Sequence, residues 1–377
     1  MDLNWNILVI DDSKLNRAVI KKVLTDIGMN IVEANDGIEG LEKLENLKFD
    51  LVLVDIIMPR LDGFGFLSKF KNVIGDDFIP VILMTGSDDL NSKIKGLRIG
   101  ADDFLIKPLN EKELVARVFS LIRLKSMHQE LYQKNELIKR ELEAAKKVQQ
   151  YIIPKDFSHI QYPKISGRYI PIEEIGGDYF DCFVLPENKY GFLMADVTGH
   201  GIAAALVMSM SRMIFSIYAS QYDSPDKLMQ VVNNQMRGLL LDYQYITAFY
   251  TIFDAKTMKL NLTNAGHVLP LYFRASKNKV ISLDAFGWFI GIADNSEYET
   301  KYLLVEKGDR LFLFTDGITE IKNYKGEEFG EKRLAQFIKG NILLKGDDFC
   351  ETLLKEINTF ANLDERNDDI AFLNIEF

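Results

Sequence analysis

The order of apolar and polar positions divides the chain into three regions. In the first region, up to about residue 122, short apolar runs alternate with segments of helical period. The apolar runs are 7–10, 31–32, 51–54, 81–84 and 104–106, and the helical segments are 14–27, 37–46, 63–73, 90–99 and 111 onward. This repeated strand-helix order predicts an α/β domain with a doubly wound, five-stranded parallel sheet covered on both faces.

A long polar helix is predicted in the second region. Between Leu121 and Ile153 the sequence has neither glycine nor proline, and Pro154 ends the helix. One seam repeats every seven residues, at Leu124, Leu131, Ile138, Ala145 and Ile152, and a more polar companion seam holds His128, Asn135, Leu142 and Gln149. This pattern predicts a two-stranded coiled coil, and hence a homodimer, with a single amphipathic helix packed on one domain as the alternative. We expect domains at 1–122 and 155–377, joined by a linker at 123–154.

The third region has many strand-like runs and few helices. The expected strands are 165–170, 179–185, 190–195, 248–253, 259–263, 269–273, 302–305, 310–314 and 370–375, and the expected helices are 201–219, 226–240, 331–339 and 347–362. Runs of strands around two pairs of helices predict an α+β sandwich of two packed sheets with helices outside.

Composition narrows the functional classes. The formal net charge of −10 argues against sequence-independent nucleic-acid binding. Two cysteines, Cys182 and Cys350, are too few for a disulfide framework and indicate free thiols in a reducing compartment. The beginning of the sequence lacks the pattern of a signal peptide. The apolar segment 202–219 is interrupted by Arg212 and serines, which favours a buried helix over a membrane span. We therefore expect a cytoplasmic protein.

Polar residues follow the strands of the first region. Asp11 and Asp12 come after the first strand, Asp55 after the third, Thr85 after the fourth and Lys107 after the fifth. Ligands of parallel sheets bind beyond the carboxyl ends of the strands. Such a pocket can hold Mg²⁺, present one carboxylate as a nucleophile and meet a phosphoryl group with the lysine.

On these residues the first region resembles the receiver domain of two-component response regulators. The resemblance implies that Asp55 accepts a phosphoryl group from a sensor histidine kinase or a phosphotransfer protein. It also implies a Mg²⁺ held by Asp12, Asp55 and the Ile57 carbonyl, with Asp11 assisting. The remaining implied residues are Thr85 and Lys107 at the phosphoryl group, Phe104 at the aromatic switch position and a cis peptide at Lys107–Pro108.

Acidic residues beside glycines mark the strand ends of the third region. Four such motifs begin at Gly176, Asp196, Thr315 and Asn367 and include Asp178, Asp196, Asp316, Asp368 and Asp369. Carboxylates that converge from several strands repel one another unless a cation lies between them. Oxygen-only ligands favour Mg²⁺ or Mn²⁺ over zinc.

With Asn264-Ala265-Gly266-His267, these motifs resemble the metal-dependent type 2C-like serine/threonine phosphatases, in the branch that regulates sporulation and stress sigma factors. The resemblance implies a four-layer fold and two Mg²⁺ or Mn²⁺ ions. Their implied ligands are Asp196, which bridges both, the Val197 carbonyl, Asp316, Asp368, and Asp178 either directly or through a water molecule. It also implies a phosphorylated anti-anti-sigma factor as the substrate.

Several roles stay open at this level. His200 is either a proton donor to the leaving oxygen or a structural residue, and His267 is expected to be structural. Asp369 is not separated from Asp368, and Arg168 is the nearby arginine that could hold a substrate phosphate. We expect phosphorylation of Asp55 to control the phosphatase, in an unassigned direction. The alternative is a catalytically silent, phosphorylation-switched adaptor that binds a regulatory protein.

Overall fold

The computed structural model describes residues 5–75, 77–86, 90–241, 243–361 and 368–377, with the backbone alone for 90–92. The chain divides into two compact units, Met1–Ile138 and Lys139–Phe377. The boundary between the units lies inside one long helix. Asn362 and Asn367, which the sequence placed in a helix end and in an acidic motif, lie outside the described residues.

The first unit contains the predicted parallel sheet. Its strand order is β2-β1-β3-β4-β5, and every pair is parallel. Apolar clusters cover both faces of the sheet, which is why strand residues such as 51–55 are all buried. The elements are β1 (Asn6–Ile10), α1 (Lys14–Thr25), β2 (Asn30–Ala34), α2 (Gly37–Asn46), β3 (Leu51–Asp55), α3 (Gly63–Ile74), β4 (Val81–Thr85), α4 (Leu90–Ile99), β5 (Asp103–Ile106) and the first part of α5 (Glu111–Ile152).

Helix α5 is continuous over 42 residues. Leu114, Val118 and Ile122 are buried in the core of the first unit, and Gln149 is buried in the second. Between residues 126 and 148 every side chain is at least partly exposed. The predicted helix is therefore present; the domain limits at 122 and 154 and the coiled-coil dimer stay predictions.

In the described residues, the second unit has two five-stranded antiparallel sheets, ordered β13-β10-β9-β8-β7 and β12-β11-β14-β15-β6. The strand β12 is only four residues long and mostly exposed, and the sequence pattern did not predict it. The elements are β6 (Lys164–Ile170), β7 (Tyr179–Leu185), β8 (Lys189–Val197), α6 (Ile202–Tyr218), α7 (Pro225–Met236), β9 (Ile246–Asp254), β10 (Lys259–Ala265), β11 (Leu271–Arg274), β12 (Lys279–Ser282), β13 (Lys301–Leu304), β14 (Arg310–Phe314), α8 (Gly330–Gly340), α9 (Gly346–Phe360) and β15 (Ile370–Glu376).

Alternate residues of the central strands separate the layers. In β14, Leu311 and Leu313 belong to the cluster shared with the first sheet and α6 and α7, whereas Phe312 and Phe314 belong to the cluster shared with α8 and α9. A strand covered on both faces reads as a continuous apolar run, as β14 does. The four-layer order of helices, sheet, sheet and helices confirms the predicted fold of this region.

Within the described part of the chain, Ile202–Gln221 is long and apolar enough to cross a membrane by length and composition. This segment contains α6, whose residues Val207, Met208 and Phe215 are buried in the core of the second unit. Arg212 of α6 forms an ion pair of 2.9 Å with Asp181 of β7. Helix α6 thus packs in the core of the second unit, as expected for a buried helix rather than a membrane span.

Candidate functional site

Three carboxylates meet at the carboxyl edge of the first sheet. Asp11, Asp12 and Asp55 place one oxygen each within 4.8 Å of the others, and they form the one such triple of possible metal ligands found among the described residues. Asp11 and Asp55 are buried, whereas Asp12 is exposed. This oxygen-only group suits a hard divalent cation.

Lys107 joins two of these acids. Its Nζ lies 2.8 Å from Asp11 Oδ2 and 2.7 Å from Asp55 Oδ2. Burial favours a low pKa for Lys107, but the hydrogen bonds and charges of both aspartates raise the pKa above its usual value. Burial raises the pKa of Asp55, against the opposing effect of Lys107. The Lys107 ammonium group therefore lies between the two carboxylates and partly neutralises both.

The other predicted receiver residues lie on the same or the neighbouring strands. Thr85 ends β4 and is buried, and Lys107 follows β5 through the predicted cis peptide to Pro108. Phe104 lies on β5, where the Lys93 ammonium is 4.6 Å from its ring centroid. Ile57 has an exposed side chain, and its N–H donates to the Asp55 carboxylate.

The acids of the second unit gather where strands of both sheets end. Asp178 precedes β7 and Asp196 lies near the end of β8, where Tyr179 pairs with Ala195. Asp316 follows β14 and Asp368 precedes β15, and these two strands are also paired. Paired strands thus bring the four predicted acids into two neighbouring couples.

Mutual repulsion links the two couples. Burial raises the pKa of Asp178 well above its usual value, and the nearby Asp196 raises it further. Burial raises the pKa of Asp196 to about 7, with further repulsion from Asp316 and Asp368. Partial removal from water also raises the pKa of Asp316 and of Asp368, although the Asp368 side chain stays accessible to solvent. Ionising one of these carboxylates therefore raises the free-energy cost of ionising the others, and a cation between them would lower that cost.

The oxygens fit divalent cations. Asp178 Oδ2 is buried and has no hydrogen-bond partner among the described residues. The four acids do not form a triple as compact as that of the receiver within the part of the chain that is described. A pair of ions needs such a wider set of ligands. The Gly177 backbone also approaches the Val197 carbonyl, since a Cβ on Gly177 would lie 2.9 Å from that oxygen.

Asp369 is separated from Asp368 by its contacts. Asp369 is buried, and its Oδ2 accepts the N–H groups of Gly177 at 2.8 Å and Asp178 at 3.3 Å. Asp368 is exposed and accepts the N–H of Asp369 at 2.8 Å. Two adjacent aspartates with the same chemistry therefore have different surroundings, which the sequence could not distinguish.

The two histidines of the motifs differ in burial. His267 is buried, its Nε2 donates to the Phe314 carbonyl oxygen at 3.1 Å, and its Nδ1 accepts from the Thr247 hydroxyl at 2.8 Å. Burial lowers the pKa of His267 to about 4, so the neutral ring links the two sheets. His200 is exposed, and its Nδ1 lies 2.8 Å from a carboxylate oxygen of Glu173. A positive charge on this ring would lower the pKa of Asp368, against the stronger effect of burial.

Arg168 is engaged elsewhere. Its guanidinium lies 3.0 Å from Asp347 and 2.9 Å from Glu351, both on α9.

Sequence reasoning missed Gln149 as a site residue and recorded it only as a polar position in a helical seam. Its Nε2 donates to the Gly176 carbonyl at 2.7 Å, and its Oε1 accepts the Gly176 N–H at 3.2 Å. A polar side chain at an apolar seam position was the available signal.

Comparisons with known proteins agree with this architecture. The family model "Stage II sporulation protein E (SpoIIE)" matches residues 186–377, and the model "Response regulator receiver domain" matches residues 7–119. The phosphoserine phosphatase RsbU of Bacillus subtilis (strain 168) is 29% identical over 199 residues, which are 53% of this chain and 59% of that protein. The probable transcriptional regulator ycf27 of Porphyridium aerugineum is 38% identical over 117 residues, 31% of this chain and 48% of that protein.

The chain spans about half the length of the curated relatives it matches. Among solved structures, the SiaA-PP2C domain of Pseudomonas aeruginosa superimposes with a TM-score of 0.58 at 21% identity, covering 65% of this chain and 98% of that domain. Fold and site thus define a receiver domain followed by a PP2C-like phosphatase domain. The chain belongs to the stage II sporulation protein E (SpoIIE) family, whose model covers its second half.

Proposed function

We propose that this chain is a response regulator in which phosphorylation of Asp55 controls a Mg²⁺- or Mn²⁺-dependent protein serine/threonine phosphatase. The observation that carries the proposal is the set of four mutually repelling carboxylates, Asp178, Asp196, Asp316 and Asp368, at the strand ends of a PP2C-like fold. The same chain carries a complete receiver acid triple.

The acids and one backbone oxygen would hold two ions. Asp196 would bridge them, the Val197 carbonyl and Asp178 would bind on one side, and Asp316 and Asp368 would bind on the other. Bound divalent ions supply Lewis-acid chemistry, which activates water and neutralises charge on the phosphoryl group. Gly177 serves this arrangement by its lack of a side chain, because it lets the segment with Asp178 approach the Val197 carbonyl.

His200 would supply a proton to the leaving group. Its Nδ1 is paired with Glu173, which orients the ring and leaves Nε2 for the substrate. Water forms the new bond to phosphorus, the bond to the serine oxygen breaks, and that oxygen takes the proton from Nε2. A purely structural pairing of His200 with Glu173 is the alternative for this residue.

The receiver would act through its phosphoacceptor. A sensor histidine kinase or a phosphotransfer protein would donate the phosphoryl group to Asp55, with Mg²⁺ held by Asp12, Asp55 and the Ile57 carbonyl and with Asp11 assisting. Lys107 and Thr85 would contact the new group, and Phe104 would respond as the switch aromatic.

Helix α5 offers a route from the receiver to the phosphatase acids. Gln149 holds both backbone groups of Gly176, two residues before Asp178, and Lys146 pairs with Glu174 at 2.8 Å. A shift of α5 would therefore change the free energy of the segment that carries Asp178, as coupling requires. The exposed apolar residues Leu131 and Ile138 of α5 support a homodimer through this helix.

The proposed substrate is a phosphorylated anti-anti-sigma factor, and the proposed location is the cytoplasm without membrane insertion or nucleic-acid binding. The resemblance to the sigma-regulating branch supports this substrate, and RsbU is named a phosphoserine phosphatase. A silent adaptor remains the second candidate; the four intact acids favour the enzyme.

The experiment measures Mn²⁺-dependent phosphate release from a phosphoserine anti-anti-sigma protein by the full chain. The arms are the parent with and without beryllofluoride, Asp196→Asn, Asp55→Asn and the matched surface change Asp348→Asn. We expect release that needs Mn²⁺, is lost in Asp196→Asn and changes with beryllofluoride only when Asp55 is present. Folded, Mn²⁺-loaded parent without release from this and other phosphoproteins would support the adaptor.

A further inference from the structure

The Asp369 carboxylate is surrounded by hydrogen-bond donors. Oδ1 accepts the N–H of Ile172 at 2.7 Å, and Oδ2 accepts those of Gly177 at 2.8 Å and Asp178 at 3.3 Å. The Tyr169 hydroxyl lies 3.5 Å from Oδ2. Donors approach an oxygen from the directions that a cation would also need, and their partial positive charge opposes a cation there.

Glycines of two other motifs make room for Asp369. A Cβ on Gly176 would overlap the Asp369 carboxylate and the Tyr169 hydroxyl. A Cβ on Gly317, which follows the acid Asp316, would overlap the Asp369 carbonyl oxygen. Asp369 therefore lies at the junction of the segments that carry Asp178 and Asp316, and these segments close around it only because they have glycine there.

The segment before β7 is held from two sides. Asp369 binds the N–H groups of Gly177 and Asp178, while Gln149 of α5 binds both backbone groups of Gly176. Every one of these bonds involves the backbone of the segment. The Asp178 carboxylate keeps a buried oxygen without a partner in the described residues, and this is the oxygen offered to an ion.

We propose that Asp369 is a positioning residue, which fixes the segment 172–178 through its backbone N–H groups so that Asp178 presents its carboxylate to the metal site, and that Asp369 itself binds no ion. The inference rests on the proposed phosphatase function. Groups that orient a metal ligand typically change metal affinity about 10–100-fold when they are replaced.

Asp369→Asn in the full chain tests the proposal. The amide keeps the size of the side chain, but one of its two sites becomes a donor that faces an N–H group. Bound and free Mn²⁺ are measured by electron paramagnetic resonance, and folding by the thermal midpoint. We expect the parent number of bound ions per chain, with the Mn²⁺ dissociation constant of the phosphatase site raised about 10–100-fold. Loss of one bound ion would show that Asp369 is a ligand and overturn the proposal.

A double-mutant comparison asks whether Asp369 acts through Asp178. In an Asp178→Asn background, Asp369→Asn should raise the Mn²⁺ dissociation constant by less than about 3-fold, because the group that it positions is already gone. A full, multiplicative effect in that background would overturn the proposal.

Gly176→Ala provides a second variant in case Asp369→Asn does not fold. The added methyl group displaces the Asp369 carboxylate without removing it, so the same weakening of Mn²⁺ binding is expected at an unchanged number of ions. Gly238→Ala, where a Cβ meets open space, is the matched control and should leave Mn²⁺ binding unchanged. Unchanged binding in Gly176→Ala would contradict the proposal.

The outcomes for the two proposals are separable. A parent chain that binds Mn²⁺ but releases no phosphate would contradict the proposed function, independently of the role of Asp369. If the parent chain is active but the Asp369→Asn variant loses a bound ion, only the positioning role of Asp369 is contradicted.

Discussion

Gln149 and Gly176 exchange two hydrogen bonds, which join the last turns of α5 to the segment that carries Asp178. The bond lengths are 2.7 Å and 3.2 Å, and both groups are buried. Unpaired buried backbone groups are costly, so this pairing has little freedom to open without another change in the segment.

Gln149→Met should uncouple the phosphatase from the receiver. Methionine keeps the length of the side chain but leaves the Gly176 N–H and carbonyl unpaired, at a cost of about 1–3 kcal/mol to the stability of the second unit. We expect lower basal phosphate release and no response to beryllofluoride. The exposed neighbour Gln150→Met is the control. A normal beryllofluoride response in Gln149→Met would exclude this contact as the route.

Lys107→Met should change the receiver's affinities for Mg²⁺ and for beryllofluoride in opposite directions. The ammonium group now neutralises Asp11 and Asp55, so it competes with a cation for the same acids. Its removal should tighten Mg²⁺ binding several-fold and weaken beryllofluoride binding at least about 10-fold, since the anion loses its positive contact. Titration of both ligands by calorimetry, with exposed Lys22→Met as control, checks the two opposite shifts. Parallel shifts of both ligands would contradict this assignment.

Removal of a metal ligand should stabilise the metal-free protein. The pKa of Asp196 is raised to about 7 by burial and by neighbouring acids, so ionising it at neutral pH costs free energy. In EDTA, Asp196→Asn should therefore melt at a higher temperature than the parent, by an amount that corresponds to about 1–2 kcal/mol. With Mn²⁺ the order should reverse, because the parent alone gains binding energy. An Asp196→Asn midpoint below the parent's in EDTA would count against the repulsion.

His267 should make the second unit sensitive to acid. Burial lowers the pKa of His267 to about 4 from 6.5, so the unfolded chain binds its proton first as pH falls. The free energy of unfolding should therefore be unaffected by protonation of this residue above pH 6.5. It should fall between pH 6.5 and 4, by up to about 3 kcal/mol in total. His267→Gln should lack this loss. Urea unfolding of both proteins at pH 7 and pH 5 measures the difference, and parallel pH dependence would disprove the neutral role.

Most of the fold could be predicted from the sequence because buried positions form a clear pattern of apolar residues. In the first unit, strands covered on both faces are continuous apolar runs, and the intervening helices begin at capping residues such as Asp36 and Asp62. The antiparallel strands of the second unit were found for the same reason. Strand β12 was missed because its exposed edge residues follow no apolar pattern.

The sites were less accessible to sequence reasoning than the fold. Acids at strand ends could be found one by one, but Asp368 and Asp369 differ only in the direction of the side chain, which depends on the register of β15. Arg168 faces Asp347, 179 positions away, and no local pattern contains that partner. Such contacts depend on how distant segments pack together.

The engagement of Arg168 by α9 also bears on what happens after hydrolysis. The guanidinium is held by Asp347 and Glu351, so in the described structure Arg168 pairs with carboxylates of the protein itself. Inorganic phosphate would therefore leave the site without breaking an ion pair to Arg168. We expect product inhibition to depend on the bound divalent ions rather than on this arginine.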